Sequence, residues 1–307
     1  MHFKKILLIF VLILFLLSVS WLCWQAGISH EVSGGTILVG GRSSIQALAI
    51  SNDFFLTQKN ANLTCYFSDN RYVNFHSPTK HGDGLLCSAY NINNKYYAVL
   101  QVEGNEIKEL ITSNHYLSHP ILINDNEDLV YTSSDIHNDT YLYKYNLKQQ
   151  TSIKIYNKSL GAGRPLVSRD GSIIVADTAH RWRGDIIRIN SAGEAVQVAS
   201  YGESPVWIEE GKMLLYYDYI NKVVVLYDLI TGKKKNVVKT QFYISDLTLS
   251  PDKKYIAYLE HVPFGTDSTL GIYFRIFSLD DSFKRSLGTK KLYIGPGMMW
   301  MDGGDNL

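Results

Sequence analysis

Short runs of β-branched, aliphatic and aromatic residues, closed by Gly, Asp, Asn or Lys, recur along most of the chain. Residues 171–177 (GSIIVAD), 211–218 (GKMLLYYD) and 253–259 (KKYIAYL) are too short and too punctuated for helices, and their composition is that of strands. A second strand follows each, at 185–190, 223–228 and 271–277, and a turn such as 229–232 (LITG) leads to a further one, as at 235–239. Ahead of each group stands one kind of phrase: 118–125 (SHPILIND), 163–170 (GRPLVSRD), 203–210 (ESPVWIEE) and 244–252 (ISDLTLSPD). Their acidic turn positions Asp125, Asp170, Glu210 and Asp252 are spaced 45, 40 and 42 residues apart, the period of one four-stranded sheet built repeatedly.

The predicted fold class is therefore all-β, a β-propeller of six four-stranded blades, with seven as the competing count. Residues 126–131 and 140–145 complete the unit that starts at Ser118, and residues 45–53 and 85–93 read as degenerate opening strands upstream. Residues 297–302 read as one more opening strand. Pairing it with residues 36–39 would close the ring and remove the exposed sheet edges of an open array.

The phrase 250–258 (SPDKKYIAY), followed by a strand, and the phrase 227–233 (YDLITGK) resemble the repeats of TolB-like β-propeller proteins, over roughly residues 118–302. Only Pro251-Asp252 keeps the full proline–aspartate turn; Asp170-Gly171 and Glu210-Gly211 keep half of it, and Asn126 replaces the glycine after Asp125. The resemblance implies a fold. It does not imply one activity, because that superfamily holds interaction modules, oligosaccharide-processing enzymes and peptidase lids.

The N-terminus sets the expected compartment. Residues 1–5 carry two lysines and residues 6–24 carry no charge, close to the roughly 20 apolar residues that cross a bilayer as a helix. The expected order is a basic cytoplasmic leader (1–5), a transmembrane signal anchor (6–24), a linker (25–34) and the propeller (35–307), on the periplasmic or extracellular side. A cleaved signal peptide is the alternative, with small residues at 18–20. The aromatic residues Trp21 and Trp24 favour retention, and Leu22 before Cys23 argues against a lipoprotein signal. The chain's 30 basic and 29 acidic side chains leave no field to attract nucleic acid. An envelope protein or a glycan is the expected partner.

Candidate chemistry is sparse. Cys65 and Cys87 lie in the degenerate repeats, and in an oxidising compartment they form a candidate disulfide. No nucleophile elbow, phosphate loop or zinc-type cysteine pairing is present, so no cofactor or metal is expected. His115 and His119 have a helical ligand spacing in a region that reads as strand, and Asp135, His137 and Asp139 share a hairpin loop that reads as solvated. The segment 178–184 is the expected contact patch. His180, Arg181, Trp182 and Arg183 crowd a connection that could have been a tight turn, and Arg164, near the start of a channel-facing strand, adds a cation. The expected function is a non-catalytic protein-interaction or ligand-binding module. The alternative is a carbohydrate-active or other small-molecule enzyme with its site in the central channel.

Overall fold

The computed structural model describes residues 35–40, 45–50, 63–67, 69–81, 84–103, 106–123, 127–137, 139–160, 163–168, 171–177, 184–263, 270–279 and 298–302. The expected leader, anchor and linker (1–34) lie outside the described residues. Among the described ones, no helix is long and apolar enough to cross a membrane.

The protein is an all-β propeller whose described strands form six antiparallel sheets, five of four strands and one of three. The first three strands are β1 (Gly35–Gly40), β2 (Ile45–Ile50) and β3 (Leu63–Phe67). The next sheet runs in chain order through β4 (Tyr72–His81), β5 (Gly84–Asn91), β6 (Tyr96–Glu103) and β7 (Glu106–Ser113). Its neighbour contains β8 (Leu117–Ile123), β9 (Asp128–Ser134), β10 (Thr140–Asn146) and β11 (Thr151–Tyr156). Then come β12 (Leu166–Val167), β13 (Ile173–Asp177), β14 (Asp185–Ile189) and β15 (Ala195–Ser200). They are followed by β16 (Gly202–Glu209), β17 (Met213–Asp218), β18 (Val223–Asp228) and β19 (Lys234–Lys239). The three-stranded sheet holds β20 (Tyr243–Leu249), β21 (Tyr255–Pro263) and β22 (Leu270–Ser278).

The last strand, β23 (Met298–Asp302), returns to the first sheet and pairs antiparallel with β1, Thr36 opposite Met301 and Leu38 opposite Met299. It also touches β4 and β20, the innermost strands of the sheets on either side. Two expected openings are corrected by this topology. Residues 85–91 form the second strand of their sheet, which opens instead at β4, and residues 45–50 lie two strands out from β23. Both segments are apolar enough to pass for opening strands because every middle strand of a propeller is covered on both faces.

Packing between sheets accounts for the long apolar runs. Alternate side chains of a strand point to opposite faces, and in β17 Leu214 and Tyr216 pack on Ile174, Ala176 and Ile186, whereas Leu215 and Tyr217 pack on Ile244, Ile256 and Tyr258. In β13 Ile174 and Ala176 face one neighbouring sheet, and Ile173 and Val175 join Val130 and Leu142 of the other. Cys87 is a free thiol, fully buried among Tyr72, Phe75 and Leu100, and burial pushes its pKa up to about 12. Cys65, its expected disulfide partner, lies in β3 of a different sheet, with its side chain outside the described residues.

The acidic turns at 209–212 and 250–254 lie at the ends of the strands away from the channel mouth. Ser250 Oγ donates to Asp252 Oδ1 at 2.6 Å and accepts from the Tyr255 amide at 2.9 Å, and Lys253 adopts φ 61°. Gly171 (φ 77°) and Gly211 (φ 73°) occupy the corresponding position without the Cβ penalty. Its place in the apolar strand before the Glu210-Gly211 turn predicts, from sequence, that Trp207 is buried core. It is only half-buried against the neighbouring sheet, like its counterparts Val167 and Leu249, and its indole Nε1 is buried without a hydrogen-bond partner. Trp207→Ala is accordingly expected to cost about 2 kcal/mol, below the 3–5 of a fully buried tryptophan. Trp207→Phe should be close to neutral in thermal melting, because losing an orphaned donor offsets the lost packing.

Candidate channel-mouth site

Four innermost strands, β4, β8, β16 and β20, carry an irregularity at the same place in their repeats. The ladder register shifts between His76 and Thr79, Ser118 and Ile121, Glu203 and Val206, and Ser245 and Thr248. Within these bulges Ser77, His119, Ser204 and Asp246 adopt left-handed backbone, at φ 53°, 53°, 49° and 54°. A bulge bends the strand and re-aims a side chain. Proline follows at 78, 120, 165 and 205, where a channel-facing edge strand has no ladder bond to lose. Arg164 stands at the corresponding position ahead of β12.

Four of these residues, His119, Arg164, Ser204 and Asp246, line one partly open cavity of about 330 Å³ with Tyr116, Ser118, Glu203, Tyr243 and Ser245. Of these four, only Arg164 is an expected binding residue from the sequence. The signal that would have found His119 and Ser204 is the residue before an inner-strand proline, repeated blade after blade; Asp246 precedes Leu247 and carries no such mark. The remaining expected residues, His180, Arg181, Trp182 and Arg183, lie outside the described residues. The strands flanking them end at Asp177 and begin at Asp185, and Ala176 lines the cavity.

The electrostatics of the cavity follow from burial. Burial lowers the Arg164 pKa, and the Asp246 carboxylate opposes that shift. Burial likewise drives His119 down to about 3, helped by the charges of Arg164 and His76, so its half-buried ring is neutral near pH 7. Glu203 Oε2 accepts a 2.6 Å hydrogen bond from the Tyr243 hydroxyl. Burial raises the Glu203 pKa and this bond opposes the rise. Ser245 Oγ lies 2.9 Å from both Asp246 Oδ2 and His261 Nε2. Burial lowers His261, against the pull of Asp246.

Behind His119 lies His76, 3% exposed, its Nδ1 at 2.9 Å from the Ser88 carbonyl and its Nε2 without a partner. Its ring leans on Tyr116 at 4.7 Å. Burial lowers its pKa to about 4. An unfolded histidine takes up its proton near pH 6.5 and the folded one does not until about pH 4, so the stability that neutral His76 contributes is complete above pH 6.5 and drains away as pH falls toward 4. The expected loss is about 1.4 kcal/mol per pH unit within that window. His76→Asn should flatten the acid limb of a denaturant-midpoint profile; an unchanged slope would show that His76 titrates normally.

In the 135–139 loop Asp135 Oδ1 accepts the amides of His137 (2.8 Å) and Asp139 (3.0 Å), an internally satisfied turn. Among the described residues no group of three or more His, Cys, Asp or Glu side chains could hold a metal ion.

No protein-family model matches the sequence, and no curated protein sequence matches it. Solved structures do. TolB from Acinetobacter baumannii superimposes with a TM-score of 0.66 at 14% identity, over 87% of this chain and 66% of that one, so the chain spans slightly under two-thirds of TolB's length. A chain from the crystal structure of a nidogen–laminin complex superimposes with a TM-score of 0.62 at 12% identity, over 87% of this chain and 98% of that one. At these identities the likeness is one of fold, and this chain has the fold shared by the TolB and nidogen β-propellers.

Proposed function

We propose that the protein is a membrane-tethered, extracytoplasmic propeller of six blades that binds another envelope protein, without catalysis, by admitting part of it to the channel mouth. The observation that carries this reading is the delivery of His119, Arg164, Ser204 and Asp246, from equivalent positions of successive blades, into one open cavity. Cavities with a few convergent polar groups are the usual seats of ligands. The nidogen neighbour was crystallised with laminin, which makes a protein partner a reasonable choice for a fold of this kind. The anchor at 6–24 and the contact patch His180, Arg181, Trp182 and Arg183 belong to the same proposal: the first would hold the propeller at the membrane surface, and the second would add contacts to the partner.

The test is photocrosslinking in intact cells from two positions. Tyr243 is 43% exposed and lines the cavity; Ile230 is 72% exposed in the turn after β18, at the opposite end of the blade. One dominant protein adduct from position 243 and none from position 230 is expected. Equal labelling from both ends, or none from 243, would overturn the reading.

A second reading is favoured by a specific observation. Two carboxylates and two tyrosines line the same cavity, and its Ser245 contacts His261 at 2.9 Å, as such groups would in a small-molecule enzyme. Against it, His119 is too acidic to act as a general base near pH 7. Turnover of aryl glycosides that both Glu203→Gln and Asp246→Asn abolish would establish the enzyme.

A further inference from the structure

The cavity holds two carboxylates, Glu203 and Asp246, against one guanidinium, Arg164, and its histidine is neutral. Asp246 is the carboxylate whose charge bears on Arg164. Glu203 is placed differently. It is half-buried, it accepts a hydrogen bond from the Tyr243 phenol, and among the described residues no ion pair offers it a cation. Around it stand tyrosines. Tyr243 lines the cavity and packs edge-on against Tyr217, with ring centroids 5.9 Å apart. Burial raises the phenols of Tyr217, Tyr219 and Tyr243, and the Glu203 charge adds to the rise in all three.

An anion desolvated among aromatic rings is incomplete by itself. Burying a charge costs free energy unless it is paired, and a tyrosine face attracts a cation through its quadrupole. We propose that the Glu203 corner of the cavity, walled by Tyr243, takes up an ammonium or guanidinium group. The assignment rests on the channel-mouth reading and supplies its chemistry: the element that enters is basic. A lysine or arginine side chain of the partner and a free alkyl cation share that chemistry, and the experiment separates them.

The whole 307-residue chain, in detergent micelles, is titrated calorimetrically with blocked Gly-Lys-Gly and Gly-Arg-Gly peptides. The controls are the norleucine and glutamate peptides, n-butylamine and N-butylguanidinium. Binding of a basic peptide, absent for norleucine and weakened at least about tenfold by Glu203→Gln, is the expected result. Glutamine keeps an acceptor for Tyr243, so the melting temperature of Glu203→Gln should stay with that of the native chain. Tyr243→Leu, which removes the ring alone, should weaken binding by roughly threefold.

If the butyl cations bind as tightly as the peptides and show the same loss in Glu203→Gln, the cation site stands and its source is a small amine. Binding of the glutamate peptide, cation binding that Glu203→Gln leaves unchanged, or no cation binding at all would overturn the assignment to a cation. The last outcome together with a crosslinked partner from position 243 would remove the cation and leave the interaction module. Cation binding without any crosslinked partner would do the reverse.

Discussion

Deleting residues 297–307 is expected to abolish cooperative unfolding and to send the protein into concentration-dependent aggregates. The deletion removes β23, which pairs with β1 from Val39 opposite Met298 to Gly35 opposite Asp302 and touches β4 and β20. Without it β1 becomes an open edge facing the channel, with a row of unpaired amides and carbonyls that recruits strands from other chains. The two neighbouring sheets lose an inner contact at the same time, so the damage extends beyond one hairpin. Size-exclusion chromatography with light scattering reads the first consequence and a thermal scan the second. A monomeric truncation that melts as sharply as the native chain would show that the ring is held without β23.

The second large effect is expected from Arg275→Ala. Glu260 is 6% exposed, and the Arg275 Nε and Nη2 groups reach its Oε2 at 2.9 and 2.8 Å. Arg275 also stacks over Tyr273 at 5.7 Å. Removing the guanidinium strands a carboxylate in the interior, with an expected cost of about 3 to 5 kcal/mol. The double replacement Glu260→Met with Arg275→Met should lie well above either single variant in denaturant midpoint, because an apolar pair leaves no uncompensated charge. A single variant within about 0.5 kcal/mol of native would place the pair among ordinary surface ion pairs.

Repetition made much of the fold legible. The opening phrase at 244–252 ends in a turn that Ser250 and Asp252 close locally, and the strands behind such phrases have mostly apolar centres because they face two sheets. Such features depend on neighbours in sequence or on hydrophobic content, and both leave a linear trace. The same continuity misled the assignment of opening strands upstream. Residues 85–91 look like an opening strand because a middle strand is buried on both faces, whereas the true inner strand β4 is marked only by Ser77-Pro78. Trp207 was misjudged for a related reason: its strand position predicts an inward-facing side chain, but how much of an indole a neighbouring sheet covers depends on that sheet's own side chains.

The candidate site was nearly silent. Glu203 and Tyr243 are 40 residues apart and lie on adjacent inner strands, and their hydrogen bond exists only because β16 and β20 stand side by side. Arg164 and Asp246 are brought into one cavity by successive turns of the ring. Local sequence determined the strands, the bottom turns and the period, since hydrogen-bonded turns and side-chain alternation act over a few residues. Tertiary structure alone decided which polar groups meet at the channel mouth, which histidines stay neutral and which carboxylate has no cation among the described residues, because desolvation and Coulomb interactions depend on distance in space rather than along the chain.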